Sequence, residues 1–556
     1  MLFLTPHMSS DVKNFFLAIA ISIVIFLGFN FFYPSLEPAK PQTTKVTSTP
    51  AKANQVSQQS DQTSPILART ILERKDALQL SERISFENKV VQGSVNLKTG
   101  VIDDLQLKDY RETTAKDSPM ISLLHPQDTA KTNILGITLV NIDATAPDET
   151  PWTSETTKER HTVILTKTLP SMTIKRTFTF GNDYTISVND VVINTGATPL
   201  KLRSIQKMYM AEHDLVDSFT GMADDKLRES TPAQVTKNTM VNYQTTTGWI
   251  GAGTKYWFTA FIQTQNLQST LLLSKVNHGY EMSLSYPVTV IGKGGKMNRT
   301  HLCFCGPKKL DVLEHIRDTK NVRKFDLAVD FGWFYFITKP LLKGINAVHT
   351  AVGNFGWAIL ILTTLMKICL WPLAMKSHKS MSAMKALQPK MNKLKEKFGA
   401  DKMLLNQEIM ALYKKENVKP MGGCLPILLQ IPIFFCLYKV LSINIEMRHA
   451  PFIWWIKDLA EPDPTSFVNL FGLLPFDAPQ IFMIGLLPIL MGLTMFIQQK
   501  LTPSVGADPS QEKVMLLMPF FLTYVFASFP SGLVIYWLWS NVLSIGQQIW
   551  MNKRYP

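Results

Sequence analysis

Apolar and polar residues are segregated along this chain of 556 residues. The last third holds five long apolar runs, and one more lies near the N-terminus. About 19 apolar residues in an α-helix span the ~30 Å hydrocarbon core of a bilayer. Between residues 80 and 325, apolar and polar positions alternate instead. The pattern predicts a polytopic α-helical membrane protein, with an N-terminal anchor, a five-helix core and a large β-sandwich domain.

The first apolar run, Phe15–Tyr33, carries no charge. It ends in bulky residues and Pro34, whereas a cleaved signal peptide ends in small residues. A retained anchor at residues 1–33 is therefore favoured over a signal peptide, and Met8 is an alternative start to Met1. Residues 34–79 are rich in Pro, Thr, Ser, Gln and Lys, which predicts a flexible linker.

Period-two alternation marks the next segment. Ile174–Phe180 and Thr185–Ile193 both alternate, and Gly181-Asn-Asp separates them as a turn. Half-buried antiparallel strands have this period, because successive side chains point to opposite faces of a sheet. Residues 80–325 are therefore predicted to form a β-sandwich.

The segment 326–352 is amphipathic, with Trp333 and Phe336 near Lys339 and Lys343. Aromatic residues mixed with Lys beside a membrane span are typical of a helix in the membrane interface. The alternative interpretation is the last helix of the β-domain.

The five C-terminal runs define the predicted core at residues 353–550, which a short tail at 551–556 follows. Spans two to six cover residues 355–375, 424–445, 481–499, 514–529 and 533–550. Between them lie a predicted helical hairpin at 375–420 and a loop at 446–480.

The distribution of Lys and Arg predicts the orientation of the spans. Residues 376–419 hold eleven Lys, whereas the loop at 446–480 has two basic residues against five acidic ones. Loops rich in Lys and Arg stay in the cytoplasm. Both termini are then cytoplasmic and the β-domain lies outside. The net charge of +14 is mainly a topology signal, and no specific nucleic-acid partner is expected.

Lys367 lies inside span two, with Thr363 one helical turn earlier. An ionised side chain at mid-bilayer costs roughly 2.5–3.5 kcal/mol, so it needs water, a partner or access to the headgroups. Span six has a polar face, and span three adds Gln430. The members of that face are Trp537, Asn541, Ser544 and Gln548. A water-accessible polar groove is favoured; a snorkelling Lys367 and polar contacts that only join helices are the alternatives.

The basic segment predicts a helical hairpin with an apolar interior. Its apolar positions are Met384, Leu387, Met391, Leu394 and Phe398 on one arm and Leu405, Ile409 and Leu412 on the other. Lys385, Lys393 and Lys395 are among the lysines that cover its outside. Met-rich faces suit varied peptides, and lysines suit anionic lipid or RNA phosphates. A solvated hairpin that only fixes topology is the alternative.

Enzyme motifs are weak. Ser382-Ala-Met-Lys385 matches S-x-x-K without its companion motifs, and zinc-protease, nucleotide-binding and nucleophile-elbow motifs are missing from the sequence. We therefore predict no catalytic residue, no metal site and no cofactor. A transporter or channel remains an alternative, although no repeated halves are visible among the spans.

Several stretches resemble the YidC/Oxa/Alb family of membrane protein insertases in its Gram-negative YidC form. They are Leu387-Gln-Pro-Lys390, Met410-Ala-Leu-Tyr-Lys414, Pro420-Met-Gly-Gly-Cys-Leu-Pro426, Gln430-Ile-Pro-Ile-Phe434, Ala450-Pro-Phe452, Met491-Gly-Leu-Thr-Met-Phe496 and Phe529-Pro-Ser-Gly-Leu533. They follow one another in order over most of residues 355–550, which makes the resemblance specific.

The resemblance implies a hydrophilic groove open to the cytoplasm and to lipid. Lys367 stands where the family usually has Arg, so the charge is kept and the bidentate fork is lost. The implied groove residues are Lys367, Thr363 and Trp537, with Trp537 replacing a frequent Tyr. Asn541 and Gln430 are added to the predicted groove from the polar positions of spans six and three. A greasy face for sliding client helices is implied at Ile431, Pro432, Val525 and Phe529.

The implied activity is insertion, folding and assembly of integral proteins in the bacterial inner membrane, alone or with the Sec translocon, without covalent chemistry. Implied partners are nascent membrane-protein clients, the Sec translocon and its accessory subunits, the ribosome transiently, and membrane lipids. The β-domain is then periplasmic, and the protein is expected to work as a monomer.

Overall fold

The computed structural model describes residues 72–554 except for 128, 144–149, 156–158, 212–215, 239, 277, 399–400, 417, 419–424, 473, 475–482 and 502–508. The predicted anchor at 1–33, the choice between Met1 and Met8, and the predicted linker up to residue 71 lie outside these residues.

The last residues of the predicted linker pack on the β-domain. They form the short helix α1, Arg74–Gln79. Arg74 forms an ion pair with Asp104, and Ala77 is buried. The prediction of a flexible linker is therefore wrong for α1, because a charge partner and an apolar contact on the domain stabilise this turn of helix.

The described part of the chain contains nineteen strands, and all pairs within the sheets are antiparallel. The strands are β1 (Arg83–Glu87), β2 (Val91–Asn96), β3 (Val101–Arg111), β4 (Met120–Leu124), β5 (Asn133–Asn141), β6 (Thr153–Glu155), β7 (Thr162–Leu169), β8 (Met172–Phe180), β9 (Thr185–Asn194), β10 (Leu200–Ala211), β11 (Ser218–Ala223), β12 (Lys226–Ser230), β13 (Met240–Thr245), β14 (Gly248–Gly253), β15 (Trp257–Gln263), β16 (Ser269–Val276), β17 (Gly279–Ser285), β18 (Thr289–Ile291) and β19 (Lys296–Pro307). Helix α2, Pro232–Asn238, lies between β12 and β13.

Two sheets make up the domain. The first has the order β1-β2-β3-β5-β10-β17-β16-β13, with β4 beside β3 and β18 beside β10. The second has the order β12-β11-β14-β15-β19-β9-β8-β7-β6. Every second residue of β8 and of β10 is buried, which is the period expected for strands with one face on a core. The predicted β-sandwich is confirmed.

The sandwich interior also contains polar groups with defined partners. Arg176 on β8 binds Asp190 on β9 through two hydrogen bonds, Nε–Oδ1 at 2.7 Å and Nη2–Oδ2 at 2.8 Å. His301 on β19 lies 2.9 Å from Ser204 and 3.0 Å from Gln206, both on β10 of the other sheet. These contacts give the Arg176 guanidinium and both ring nitrogens of His301 the hydrogen bonds that buried polar groups require.

The domain ends on helix α3, Leu310–Thr319, and on a 3-10 turn, Phe325–Ala328. Phe325 is fully buried, and its ring packs edge-on against Trp249 and Phe304. Ala328, Val329 and Phe331, predicted as part of the interfacial helix, are buried in the same core as Phe325 and lie before the first residue of the helix. The helix itself begins at Tyr335.

Eight α-helices follow in the described part of the chain. They are α4 (Tyr335–Val352), α5 (Phe355–Ala386), α6 (Gln388–Phe398), α7 (Lys402–Lys415), α8 (Leu425–Ile443), α9 (Leu486–Leu501), α10 (Pro509–Phe526) and α11 (Ser531–Arg554). By length and hydropathy, α5 qualifies as a membrane span among the described residues. The segments Gln430–Ile443, Leu486–Leu501 and Met515–Phe526 are apolar but shorter.

Helix α5 extends well past the end of predicted span two at residue 375. Asn354 caps its start by accepting a hydrogen bond from the backbone N–H of Trp357. Its 32 residues measure about 48 Å, which exceeds a ~30 Å hydrocarbon core by about 18 Å. The residues after Met375 are mostly good helix formers, so nothing in the local sequence ends the helix there. Met384, predicted as part of the hairpin, consequently lies on α5.

The helices pack in a defined order. Helix α11 packs against α5 and α9, α4 packs against α5 and α8, and α10 packs against α9. A residue of the segment between α8 and α9, Asp463, also stabilises the first turn of α9. Asp463 accepts hydrogen bonds from the backbone N–H of Leu487 at 2.8 Å and from Trp455 Nε1 at 3.0 Å.

Ion pairs join α4 and α8 to the β-domain. Lys339 on α4 binds Asp326 at 2.6 Å and Glu314 of α3 at 2.9 Å, and Lys343 binds Glu314 at 2.7 Å. Lys439 on α8 binds Asp330 at 2.5 Å. The lysines of α4 thus pair with carboxylates of the β-domain, whereas Trp333 and Phe336 are exposed. The interfacial position of α4 stays a prediction.

Candidate functional site: a polar column around Lys367

Lys367 lies on α5, twelve residues after Phe355, or about 18 Å along the helix axis. That depth falls within a ~30 Å hydrocarbon core that begins near Phe355. Its Nζ donates a hydrogen bond to Oγ of Ser544 on α11 at 2.8 Å. Within the described residues, no carboxylate forms a salt bridge with it. The hydrogen-bond partner of the charged Lys367 side chain is therefore a neutral hydroxyl group.

Further polar groups line the same face of α11. Tyr536, Ser540 and Ser544 follow each other at intervals of four residues, which places them on one side of the helix. Gln430 Nε2 on α8 donates to Oη of Tyr536 at 2.8 Å, and Tyr536 and Ser540 are both buried. We call Lys367, Ser544, Ser540, Tyr536 and Gln430 the polar column.

Two predicted groove residues have other partners. Asn541 Nδ2 donates to Oγ1 of Thr494 on α9 at 3.2 Å and to the carbonyl oxygen of Met491 at 3.4 Å. Thr363 is buried, and its hydroxyl donates to the carbonyl oxygen of Ile359 in its own helix at 2.7 Å. The structure brings Lys367 together with Ser544, and it places Asn541 against α9.

Trp537 belongs to an aromatic cluster. Its ring centroid lies 4.9 Å from those of Phe434 on α8 and Phe526 on α10. Phe529 lies 5.0 Å from Phe526 and 5.9 Å from Tyr438. Trp537, Asn541 and Ser544, three members of the predicted polar face, therefore do not share one environment. The membership of the groove stays a prediction.

The predicted sliding face is partly open. The side chain of Ile431 is 49% exposed, whereas Pro432, Val525 and Phe529 are half-buried. Helix α10 adds a row of exposed apolar residues, among them Leu517, Phe520, Phe521 and Tyr524. Exposure of these apolar side chains to water is unfavourable, so lipid or an apolar client helix is the environment that suits them.

Helices α6 and α7 form the predicted hairpin with its apolar interior. Leu387, Met391 and Tyr413 are buried together, and Met384, Ile409, Leu412 and Val418 pack around them. Tyr413 Oη donates to Sδ of Met391 at 3.3 Å. Asp401 caps α7 by accepting from two backbone N–H groups. Lys385 and Lys393 are exposed and Lys395 is half-buried, while residues 399–400 of the predicted turn lie outside the described residues.

The site includes residues that the sequence did not single out. Tyr536 and Ser540 sit in an apolar run, where nothing in the hydropathy distinguishes them from core positions. Ser544 belongs to the predicted polar face, but helical periodicity alone does not show that its hydrogen-bond partner is Lys367. Tyr413 was likewise hidden among the hairpin's apolar positions.

Comparisons with known proteins cover nearly the whole chain. Residues 83–343 match the family model described as YidC periplasmic domain, and residues 347–556 match the one described as 60Kd inner membrane protein. The chain is 38% identical to the membrane protein insertase YidC of Rhizobium johnstonii, over 99% of this chain and 96% of the relative. It is 36% identical to that of Rickettsia typhi, over 98% of this chain and all of the relative.

Among solved structures, an active YidC insertase with its first transmembrane domain resolved is similar to this chain at 15% identity and a TM-score of 0.35, covering 85% of this chain and 92% of its own. Both domains match their family models in chain order, and the curated relatives align from end to end. The chain therefore belongs to the YidC family of membrane protein insertases.

Proposed function

We propose that this insertase takes the polar segment of a client protein at the polar column and releases the client's apolar helix to lipid along α8 and α10. The clients are nascent integral membrane proteins. The process needs no cofactor and forms no covalent bond. A transporter or channel finds no support among the relatives.

The observation that carries the proposal is the environment of Lys367. Its ammonium group lies within a bilayer-length helix and is bound by a hydroxyl, with no carboxylate ion pair in the described part of the chain. An uncompensated charge is costly in a membrane, and such residues mark functional pathways. Because a hydroxyl does not cancel the charge, its field remains available to polar or acidic client segments, and it acts strongly in a low dielectric.

The driving force comes from the client. Burial of its apolar helix in lipid contributes ~0.8 kcal/mol per CH₂ group. The membrane potential assists the outward movement of acidic residues, at ~2.3 kcal/mol per charge per 100 mV. The column then has only to lower the desolvation cost of the polar segment. The exposed apolar residues Ile431, Phe520 and Phe521 suit contact with lipid or with an apolar client helix.

We also propose an orientation of the chain in the membrane and the partners that it contacts there. The lysine-rich hairpin is assigned to the cytoplasm, both termini with it, and the β-domain to the periplasm. The extension of α5 by about 18 Å beyond the hydrocarbon carries the hairpin away from the membrane, and the lysines of the hairpin are the reason for assigning it to the cytoplasmic side. Exposed Lys385 and Lys393 suit transient contact with a ribosome or anionic lipid. We assign contacts with the Sec translocon to the same protein, which works as a monomer.

The test uses the full-length chain in proteoliposomes and a small single-span client with an acidic N-terminal tail. Lys367→Arg should insert the client at near wild-type rate, Lys367→Ala should be several-fold slower, and Lys367→Glu should be close to inactive. Lys457→Ala, which removes a positive charge from an exposed loop residue, is the matched control and should match the wild type. Full activity of Lys367→Glu would refute the electrostatic role.

A further inference from the structure

Gln547 on α11 is a buried hydrogen-bond donor that is left without a partner. The residue is 8% exposed, and no acceptor lies within hydrogen-bonding distance of its Nε2 among the described residues. An unsatisfied buried polar group costs on the order of 1–3 kcal/mol, and such groups are rare in folded proteins. The free protein thus retains a destabilising feature, which a ligand with an acceptor would remove.

The position of Gln547 connects it with the polar column. It lies three residues after Ser544, the partner of Lys367, and seven after Ser540. Residues three apart on a helix are surface neighbours, with Cβ atoms about 5–6 Å apart. The unpaired amide therefore belongs to the turn of α11 that follows the Lys367–Ser544 hydrogen bond.

The column together with Gln547 has an excess of donors. A lysine ammonium has three N–H donors, and the hydrogen bond to Ser544 uses one of them. The Gln547 amide adds another free donor. No aspartate or glutamate forms a salt bridge with the column within the part of the chain that the structure describes. Such a set is complementary to carbonyl and carboxylate oxygens.

We propose that Gln547 is a client-binding residue whose amide N–H donates to a carbonyl or carboxylate oxygen of the client's polar segment while that segment is at Lys367. The inference rests on the proposed function of the column and adds a determinant of specificity. Acidic segments are favoured, because a carboxylate accepts from both Lys367 and Gln547. Basic segments can satisfy neither donor with their side chains.

The experiment compares three clients that differ only in one tail residue, which is Glu, Gln or Lys. Insertion rates are measured in proteoliposomes that contain the full-length chain or its variants Gln547→Leu and Gln547→Glu. Ile549→Leu is the matched control, because Ile549 lies on the opposite side of α11 and is 43% exposed. Thermal unfolding of each variant reports whether it is folded.

Gln547→Leu should insert the Glu client roughly tenfold more slowly, since a hydrogen bond to a charged group is lost, and should change the Lys client little. Gln547→Glu should reverse the order of the Glu and Lys clients, which a purely structural role of Gln547 does not explain. Ile549→Leu should keep the wild-type order.

Equal slowing of all three clients by Gln547→Leu, or an unchanged order with the folded Gln547→Glu variant, would overturn the inference. In those cases Gln547 serves the packing of α11 or binds only water. A wild-type protein that inserts none of the three clients would instead refute the proposed function itself, so the two failures are distinguishable.

Discussion

Lys367 of α5 and Ser544 of α11 are 177 residues apart in the chain, yet the Lys367 ammonium donates to the Ser544 hydroxyl at 2.8 Å. The hydrogen bond joins two helices that also pack against each other through Trp371 and Trp550. Because Ser544 is neutral, it orients the charge of Lys367 without neutralising it. In a structural ion pair a carboxylate would neutralise the ammonium group, whereas here the charge of Lys367 remains available to a client.

Replacement of Ser544 tests that distinction. Ser544→Ala removes the acceptor but keeps the charge, so insertion of an acidic-tailed client should fall only a few-fold. Ser544→Asp places a carboxylate beside the ammonium and should reduce insertion to the level of Lys367→Ala, because the field at the site is cancelled. Insertion rates in proteoliposomes measure both. Wild-type activity of Ser544→Asp would contradict the role of a free charge.

Asp463 is predicted to stabilise the start of α9. Its side chain accepts from the backbone N–H of Leu487 and from Trp455 Nε1, and it also binds the hydroxyl of Thr465. Asp463→Ala leaves these buried donors unpaired and should lower the free energy of unfolding by about 2 kcal/mol. Differential scanning of tryptophan fluorescence in detergent should show a lower Tm. An unchanged Tm would exclude the capping role.

The buried ion pair of the β-domain offers a comparison with an exposed pair on the adjacent residue. Asp190→Ala leaves Arg176 buried without its carboxylate and should cost about 3–5 kcal/mol. Glu155→Ala breaks the exposed pair with Lys175 at 3.0 Å and should cost less than about 1 kcal/mol. Guanidinium denaturation followed by far-UV circular dichroism measures both. Similar costs for the two variants would contradict this assignment.

The stability of the β-domain should depend on pH through two histidines. Burial lowers the pKa of His301 to about 4, and burial together with Lys131 lowers the pKa of His125 to about 4. The unfolded chain binds a proton at each near pH 6.5, whereas the folded domain does not until about pH 4. Stability is therefore full above pH 6.5 and decreases as the pH falls towards 4.

Between pH 6.5 and 5, each histidine should remove at most about 2 kcal/mol from the free energy of unfolding. Denaturation curves at several pH values measure this loss. His301→Gln should make the free energy of unfolding less dependent on pH by the contribution of one histidine, because His125 still titrates. If His301→Gln leaves the dependence of the free energy of unfolding on pH unchanged, the His301 imidazole takes up its proton equally in the folded and unfolded states, and the prediction is wrong.

The β-domain could be predicted from the sequence because alternation acts locally. A strand with one face on a core buries every second residue, and β8 and β9 show that alternation with mostly apolar residues on the buried face, apart from polar residues such as Arg176 and Asp190. The ends of elements were less predictable. Residues 326–334 combine aromatic and charged side chains, as an interfacial helix does, but Ala328, Val329 and Phe331 are buried and the helix begins only at Tyr335.

The hydrophobic pattern was sufficient to predict the sandwich, the apolar helices and the placement of Lys367 within an apolar run, but it left open whether that lysine snorkels or lines a groove. Helical periodicity also placed Trp537, Asn541 and Ser544 on one face of α11. The partners of these residues follow from how the helices pack. Trp537 contacts Phe434 and Phe526, Asn541 binds Thr494, and Ser544 binds Lys367. The physical reason is that periodicity defines which residues share a face, whereas the packing of several neighbouring helices around that face selects which residue meets the charge.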